Sequence, residues 1–194
     1  MKSICVFCGS SAGAQPEYMS AARNLGKTLA TNKITLIYGG ASVGLMGAVA
    51  DEVLAHGGHV TGVIPKILMT KEVAHHGLTD LRVVDSMHSR KALMAELSDG
   101  FIALPGGFGT FEELCEIVTW SQLGLHQKPI GVLDVLDYYK PLKELVNKGI
   151  EEKFIREQYK DLVVFAESAE DLLKKFSTYQ PLDVPKWIRS PSET

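Results

Sequence analysis

The sequence predicts an α/β protein, with one doubly wound, Rossmann-like domain in which a mainly parallel sheet is covered by helices on both faces. Short apolar runs alternate with segments whose apolar residues recur at helical spacing along most of the 194 residues. The short runs are continuously apolar, which is typical of parallel strands buried on both faces. No repeat or internal linker interrupts this order. We therefore expect one domain over 1–178 and a tail over 179–194.

The boundaries of the predicted elements come from residues that start or stop helices and strands. Pro16 opens the first helix, a Gly57-Gly58 pair ends the second, and Pro65 stops the third strand. Ser168 is an N-cap candidate for the last helix. The predicted strands are 3–8, 35–38, 59–64, 81–84, 100–104, 129–133 and 162–165. The predicted helices are one from Pro16 and those at 44–56, 87–97, 109–123, 138–147 and 168–176. Residues 67–79 lack a regular pattern, and an irregular excursion over the top of the sheet is expected there.

The composition argues against several functional classes. Hydrophobic residues make up 45% and charged residues 22% of the chain, as in ordinary globular proteins. A net charge of −3 creates no general attraction for nucleic acid or anionic membranes. No run approaches the roughly 18 apolar residues of a membrane span, and the N-terminus shows no signal-peptide pattern. We expect a cytoplasmic protein without nucleic-acid or membrane partners.

Cys5 and Cys8 form a C-x-x-C pattern, which raises the question of redox or metal chemistry. Both lie in or at the end of a predicted strand, where positions three apart are ~10 Å apart. A disulfide requires Cα atoms within ~7 Å, and no second C-x-x-C supports a zinc site. Buried structural thiols are therefore expected, and neither a metal nor a cofactor is.

The strongest functional signal is the segment 104–113, LPGGFGTFEE, where an apolar run stops at Pro105 and three glycines precede a helical pattern. That pattern starts near Gly109 or Thr110. The free N–H groups and the dipole of a helix N-terminus attract anions. Glycines let a phosphate approach the backbone because no Cβ blocks it. The segment therefore predicts a phosphate cradle with a carboxylate, Glu113, close by.

The residues around this segment permit two interpretations. Thr110-x-x-Glu113 also fits a capping box, in which Glu113 would only accept a hydrogen bond from the N-cap amide. Arg90 and Lys91 place two cations at the start of another predicted helix, where the dipole disfavours positive charge unless an anion is near. A solvated surface pair is the alternative. The glycines and these cations together favour a binding site.

Two more glycine-bearing turns follow predicted strands, at Gly9-Ser10-Ser11 and at Gly39-Gly40. The carboxyl ends of parallel strands meet at one edge of a sheet, so all three turns are expected to converge there. No G-x-G-x-x-G follows the first strand, which argues against a dinucleotide site. Gly44 and Gly47 fit either close approach of a ligand or close packing of a helix.

Together these motifs resemble the LOG ("lonely guy") family of cytokinin riboside 5′-monophosphate phosphoribohydrolases, whose members are often labelled possible lysine decarboxylases. The P-G-G-x-G-T-x-x-E motif matches 105–113, and the R-K pair matches 90–91. The Cys8-Gly9-Ser10-Ser11 and Tyr38-Gly39-Gly40 turns are also family-like, and the likeness covers about 1–178. The resemblance implies hydrolysis of the N-glycosidic bond of a nucleoside 5′-monophosphate such as AMP or N6-isopentenyl-AMP. The products would be the free base and ribose 5-phosphate.

This reaction passes through an oxocarbenium-like ribose, which defines what the residues must do. The amides of 107–110 would hold the phosphate, and Glu113 would stabilise the cation or activate water. Arg90 would donate to the phosphate or to the departing base. Arg90 and Glu113 are the catalytic candidates. The substrate-binding candidates, of which Glu72, Lys91 and Thr119 come from the resemblance alone, are Ser10, Gly39, Gly40, Glu72, Arg90, Lys91, Gly106, Gly107, Phe108, Gly109, Thr110, Phe111, Glu112, Glu113 and Thr119.

Two other functions remain open. A non-catalytic carrier of a nucleotide or of molybdenum cofactor on the same fold would need the glycine cradle but not Glu113. A pyridoxal-phosphate decarboxylase is disfavoured, because the chain is short for that fold and no lysine lies in a convincing cofactor context.

The assembly is predicted from one helical segment, 111–125, which is apolar nearly all round. A helix of this kind is buried on every side. A second copy of the chain is a plausible cover for the extra face, so a homodimer is expected.

Overall fold

The computed structural model of the chain describes residues 1–69 and 74–182. Its strands, all in one sheet, are β1 (Ser3–Phe7), β2 (Thr35–Tyr38), β3 (Val60–Pro65), β4 (Asp80–Val84), β5 (Phe101–Ala103), β6 (Ile130–Leu133) and β7 (Val163–Ala166). Every neighbouring pair of strands is parallel. This confirms the predicted α/β class with its parallel sheet.

The strand order β4-β3-β2-β1-β5-β6-β7 creates a topological switch point between β1 and β5. The chain winds outwards from β1 to β4 and then returns to place β5 on the other side of β1, with Cys5 opposite Phe101. Ligands of open α/β sheets bind at the carboxyl ends of the strands beside such a switch. The turns after β1 and β5 are those that sequence analysis singled out.

Helices cover both faces of the sheet. They are α1 (Pro16–Thr31), α2 (Gly44–Ala55), α3 (Lys66–Met69), α4 (Met87–Glu96), α5 (Phe108–Gln122), α6 (Lys140–Glu151) and α7 (Ala169–Ser177). On one face, α1, α2 and α7 bury apolar residues such as Leu25, Val49 and Leu172. On the other face, Met94 of α4 and Leu114 of α5 are buried against the strands. Two separate apolar layers therefore hold the sheet rigid beneath its carboxyl edge.

The predicted elements agree with the structure to within a few residues, with three instructive differences. Helix α5 begins at Phe108 with Gly107 as its N-cap, earlier than the predicted start at Gly109 or Thr110. Helix α6 is shifted to Lys140–Glu151, and a 3-10 helix at Glu157–Leu162 was not predicted. Of the irregular excursion at 67–79, residues 70–73 lie outside the described part, and the short helix α3 precedes them.

Within a single chain, helix α5 is buried on only part of its surface. Leu114 and Ile117 are buried, whereas Val118, Trp120 and Leu123 keep part of their surface exposed. The reason is geometric, since one stripe of α5 faces the sheet while α6 and the 3-10 helix cover the rest incompletely. Between them lies a mostly apolar groove of about 630 Å³.

Two further expectations concern the cysteines and the membrane. Cys5 and Cys8 are buried and unpaired, as predicted for structural thiols, while the third cysteine, Cys115, is exposed. No helix among residues 1–69 and 74–182 is long and apolar enough to cross a bilayer. Of the expected tail over 179–194, residues 183–194 lie outside the described part.

Candidate active site

Three glycine-bearing turns converge at the switch point, as predicted, and enclose a cleft of about 280 Å³. The turn after β1 is joined to the turn after β5 because the Gly9 N–H donates to the Pro105 carbonyl (3.0 Å). The Gly9 carbonyl accepts from the N–H of Leu45 in α2 (3.0 Å). The predicted site residues that line the cleft are Ser10, Gly39, Arg90, Gly107, Phe108, Gly109, Thr110 and Glu113.

Two glycines of these turns are required by packing. A Cβ on Gly39 would lie 1.9 Å from Nη2 of Arg90, and one on Gly106 would lie 2.1 Å from Oγ1 of Thr110. Such distances are far inside van der Waals contact. Gly39 therefore makes room for Arg90, and Gly106 makes room for Thr110.

Gly107 and Gly109 differ, because a Cβ on either would meet nothing within 4 Å. Packing within this chain gives no reason for glycine at these two positions. Both line the cleft, so their lack of a side chain leaves the backbone open to a ligand. For Gly44 and Gly47, by contrast, an added Cβ would lie within about 2.3 Å of backbone atoms, which favours the packing interpretation.

The N-terminus of α5 forms the floor of the cradle. Gly107 is the N-cap, and no side chain caps the helix. The Phe111 N–H is the first to bond back, to the Gly107 carbonyl (3.1 Å), so the N–H groups of residues 108–110 have no intrahelical acceptor. Three free amides at the positive end of a helix dipole, with no Cβ on residue 109, can coordinate a phosphate.

Glu113 lies beside this cradle and pairs with Arg90. Nη1 of Arg90 donates to Oε1 of Glu113 (3.1 Å), and its Nε donates to the Val63 carbonyl (3.1 Å). Arg90 is 8% and Glu113 9% exposed, so the pair is almost fully withdrawn from solvent. The capping-box interpretation of Glu113 is wrong, because the helix begins at Phe108 and the carboxylate binds Arg90 instead.

The environment of Glu113 shifts its proton affinity. Burial raises the pKa of Glu113 above its ordinary value, although the Arg90 guanidinium acts in the opposite direction. The negative charges of Glu112 and Glu116 add to the increase. A carboxylate whose pKa is raised in a cleft is a common property of groups that stabilise charge or move protons.

Arg90 and Lys91 do not act together. Side chains of adjacent helical residues point about 100° apart, and Lys91 contacts Glu112 and Glu116 of α5 instead of the cleft. Burial lowers the pKa of Lys91, but the hydrogen bonds that its ammonium donates to Glu112 and Glu116, with the negative charges of both, outweigh burial, and the pKa is raised. A lysine that forms a Schiff base must lose its proton, which argues against Lys91 as a cofactor anchor.

The remaining predicted site residues that the structure describes do not line the cleft. Gly40 adopts a left-handed backbone (φ 76°), and its carbonyl accepts from the His75 N–H (2.9 Å). Thr119 faces the apolar groove, and its hydroxyl donates to the Cys115 carbonyl (2.8 Å). Phe111 packs in a cluster of aromatic rings with Tyr138. Glu72 lies outside the described residues.

The predicted site residues omit six residues that line the cleft: Val6, Phe7, Cys8, Gly9, Met46 and Met94. Cys8 directly precedes the first glycine turn, so its position could have been inferred. The two methionines come from the interior faces of α2 and α4, and nothing in their local pattern separates them from core residues. Among the described residues, no group of histidine, cysteine, aspartate or glutamate side chains could hold a metal ion.

Comparison with known sequences identifies one family. The family model described as possible lysine decarboxylase matches residues 46–176. The cytokinin riboside 5′-monophosphate phosphoribohydrolase LOG1 of Arabidopsis thaliana is 50% identical over 180 residues, which cover 93% of this chain and 84% of that protein. The probable cytokinin riboside 5′-monophosphate phosphoribohydrolase LOGL2 of Oryza sativa subsp. japonica is 49% identical, covering 92% and 73%.

Comparison with solved structures shows the same fold in more distant proteins. The molybdenum cofactor binding protein of Rippkaea orientalis superposes with a TM-score of 0.68 at 20% identity, covering 92% of this chain and 97% of that one. The molybdenum cofactor carrier protein of Chlamydomonas reinhardtii gives 0.68 at 18% identity, covering 92% and 99%. At these identities the likeness concerns the fold alone.

Proposed function

The chain belongs to the possible lysine decarboxylase family, which includes the LOG phosphoribohydrolases, and on that premise we propose that it hydrolyses the N-glycosidic bond of nucleoside 5′-monophosphates. Substrates of the class of AMP and N6-isopentenyl-AMP would give the free base and ribose 5-phosphate. The observation that carries the proposal is the buried Arg90–Glu113 pair beside the open glycines of the cradle.

The phosphate binds at the N-terminus of α5 in this proposal. The N–H groups of 107–110 supply donors, and the bare backbone at Gly107 and Gly109 allows the oxygens to approach. Ser10 and Gly39 also line the cleft, and Gly40 and Gly106 belong to the turns that form it. Binding at the phosphate positions the glycosidic bond for the buried pair.

Glu113 stabilises the positive charge that develops on the ribose as the base departs, or activates the water that attacks C1′. A carboxylate shielded from water interacts strongly with a cation, because the effective dielectric constant is low. Arg90 is a fixed hydrogen-bond donor to the phosphate or to the departing base. Its guanidinium offers N–H groups only as donors, so it serves as a charged hydrogen-bond donor.

The same cleft supports a second function less well. A carrier of a nucleotide or of molybdenum cofactor, of the kind that shares the fold, needs the glycine cradle but has no use for a buried carboxylate beside it. Incubation with AMP distinguishes the two. Release of adenine, measured by chromatography, supports the hydrolase, whereas stoichiometric binding of AMP without release of adenine supports the carrier.

We further propose a homodimer built partly on the helical segment 111–125. Val118 and Trp120 expose apolar surface there, and Leu145 and Phe154 on the neighbouring elements are 67% and 90% exposed. A second copy would also explain Thr119, which within one chain lies in the apolar groove and not in the cleft. Light scattering at micromolar concentration should give twice the mass of one chain, and a monomer would contradict the proposal.

We place the protein in the cytoplasm, where thiols stay reduced. Cys5 and Cys8 are buried and unpaired, and Cys115 is free at the surface. Fluorescence microscopy of a tagged chain would test the location.

A further inference from the structure

We propose that Tyr138 and Tyr139, two consecutive residues outside the cleft, are positioning residues that fix the phosphate cradle by holding carbonyl groups on its far side. The inference rests on the proposed function, because it takes the N-terminus of α5 to bind the phosphate of the substrate. It concerns residues that contribute nothing to the cleft lining. Four observations carry it.

The first observation is that every backbone carbonyl of the turn after β5, residues 104–107, accepts a hydrogen bond. The Tyr139 hydroxyl donates to the Leu104 carbonyl (2.7 Å), and the Tyr138 hydroxyl donates to the Gly106 carbonyl (2.5 Å). The Pro105 and Gly107 carbonyls accept from the backbone N–H groups of residues 9 and 111. All four consecutive carbonyls are therefore bonded, and side chains supply two of the donors.

The second observation is that the hydrogen bond from Tyr138 to the Gly106 carbonyl orients a whole peptide unit. The Gly106 carbonyl and the Gly107 N–H belong to one planar peptide unit, in which they point in opposite directions. A hydroxyl that fixes the carbonyl from behind therefore fixes the direction of the Gly107 N–H as well. Gly107 lines the cleft and can adopt many backbone conformations, so it gains the most from an external restraint.

The third observation is the loop that presents the two tyrosines. Between β6 and α6, Leu136 and Asp137 both adopt left-handed backbones (φ 54° and 58°), which cost roughly 1 kcal/mol or more each in residues other than glycine. Asp134 accepts from the Tyr139 N–H (2.9 Å) and holds the end of this loop. This loop conformation brings both hydroxyls to the turn after β5.

The fourth observation is the packing of the Tyr138 ring against the first turn of the helix that forms the cradle. The ring stacks on Phe111, with centroids 6.3 Å apart, and meets the edge of Tyr18 at 6.0 Å. Tyr139 is 1% exposed, and burial raises its pKa, so its hydroxyl keeps its proton and remains a donor. The rings make these packing contacts, so a substitution of either tyrosine by phenylalanine removes the hydroxyl and keeps the packing.

The experiment compares Tyr138→Phe with the wild type, and with Tyr159→Phe as the control. Tyr159 is a buried tyrosine of a separate cluster beside Leu162, far from the turn. In Tyr138→Phe we expect KM for AMP to rise about three- to tenfold, the loss expected for one hydrogen bond. Its residual kcat/KM on adenosine should stay within about twofold, because adenosine has no phosphate for the cradle to hold. Tyr159→Phe should change none of these values.

Tyr139→Phe is the second variant, and its KM for AMP should also rise. Its Tm should fall, because the substitution leaves the buried Leu104 carbonyl without a donor. Unchanged KM for AMP in Tyr138→Phe would overturn the inference, as would equal losses on AMP and adenosine. Calorimetric measurement of AMP binding separates failure of the positioning role from failure of the proposed hydrolase function. If the wild type binds AMP without cleaving it, the hydrolase proposal fails, while weaker AMP binding by Tyr138→Phe still supports the positioning role.

Discussion

Replacing Glu113 with glutamine tests the catalytic pair most sharply. Glutamine keeps the size of the side chain and an oxygen that can accept from Nη1 of Arg90, now at 3.1 Å. Only the negative charge is lost. If that charge stabilises the ribosyl cation, turnover should fall by about 10²-fold or more, the scale for removing a catalytic acid–base group.

The effect of the substitution on stability follows from the raised pKa of Glu113. A raised pKa means that the folded state disfavours the ionised carboxylate, mainly because burial removes its hydration. A neutral amide avoids that cost, although Arg90 loses its charged partner while it still donates to the Val63 carbonyl. We therefore expect Glu113→Gln to be folded, with a Tm close to that of the wild type, and to bind AMP.

The assay measures adenine release and AMP binding by the same preparation. Glu116→Gln is the matched control, since it removes a carboxylate one turn further along α5 that binds Lys91 outside the cleft. It should retain most of the activity. More than about a tenth of wild-type turnover in Glu113→Gln would refute the catalytic role of the charge, and the cradle and Arg90 would then remain as the supported parts of the site.

Three further predictions concern other parts of the molecule. Gly109→Ala should fold normally, because its Cβ meets open space, but it should raise KM for AMP about tenfold or more while sparing adenosine; steady-state kinetics on both substrates measures this. Gly106→Ala should instead lower Tm, because its Cβ would lie 2.1 Å from Oγ1 of Thr110. Burial lowers the pKa of His126 to about 4, so the neutral ring stabilises the fold fully above pH 6.5. That stability is lost at up to about 1.4 kcal/mol per pH unit as pH falls from 6.5 towards 4, and His126→Asn should remove this dependence in urea titrations.

Activity should also follow the protonation of Glu113. The proposed role requires the ionised carboxylate, so activity should decline as pH falls through a pKa above the ordinary value of 4.5. The acid limb of the pH profile of kcat, measured at saturating AMP, tests this pKa, because kcat reports groups in the enzyme–substrate complex and not the ionisation of free AMP. An acid limb at or below 4.5 would contradict the role of a buried carboxylate in the rate.

The sequence predicted the sheet well because its signals are local. A continuous apolar run such as Ile4-Cys5-Val6-Phe7 in β1 predicts a strand from its own residues alone. Glycine or proline follows several of these runs and marks where the strand ends. The start of α5 was placed too late, because glycines 107 and 109 hide the helical pattern that Phe108 begins. The exposed stripe of α5 could not be predicted, since its cover depends on how α6 and the 3-10 helix pack.

Local pattern predicted many of the residues that line the cleft, but it did not predict the contacts between them. Arg90 and Glu113 are 23 positions apart, and only the packing of α4 beside α5 joins them. The different directions of Arg90 and Lys91 follow from helical geometry and could have been anticipated. The hydroxyl of Tyr138 on the Gly106 carbonyl, 32 positions away, leaves no trace in the sequence pattern.

The central claim is that the N-terminus of α5 uses the substrate's phosphate to position its glycosidic bond against Arg90 and Glu113. The most direct measurement is the kcat/KM of the wild-type protein on AMP and on adenosine, which differ only in the phosphate. The account predicts efficient release of adenine from AMP and hardly any from adenosine, because the backbone amides of 108–110 have no anion to bind in the nucleoside. Equal kcat/KM values on the two substrates would contradict it.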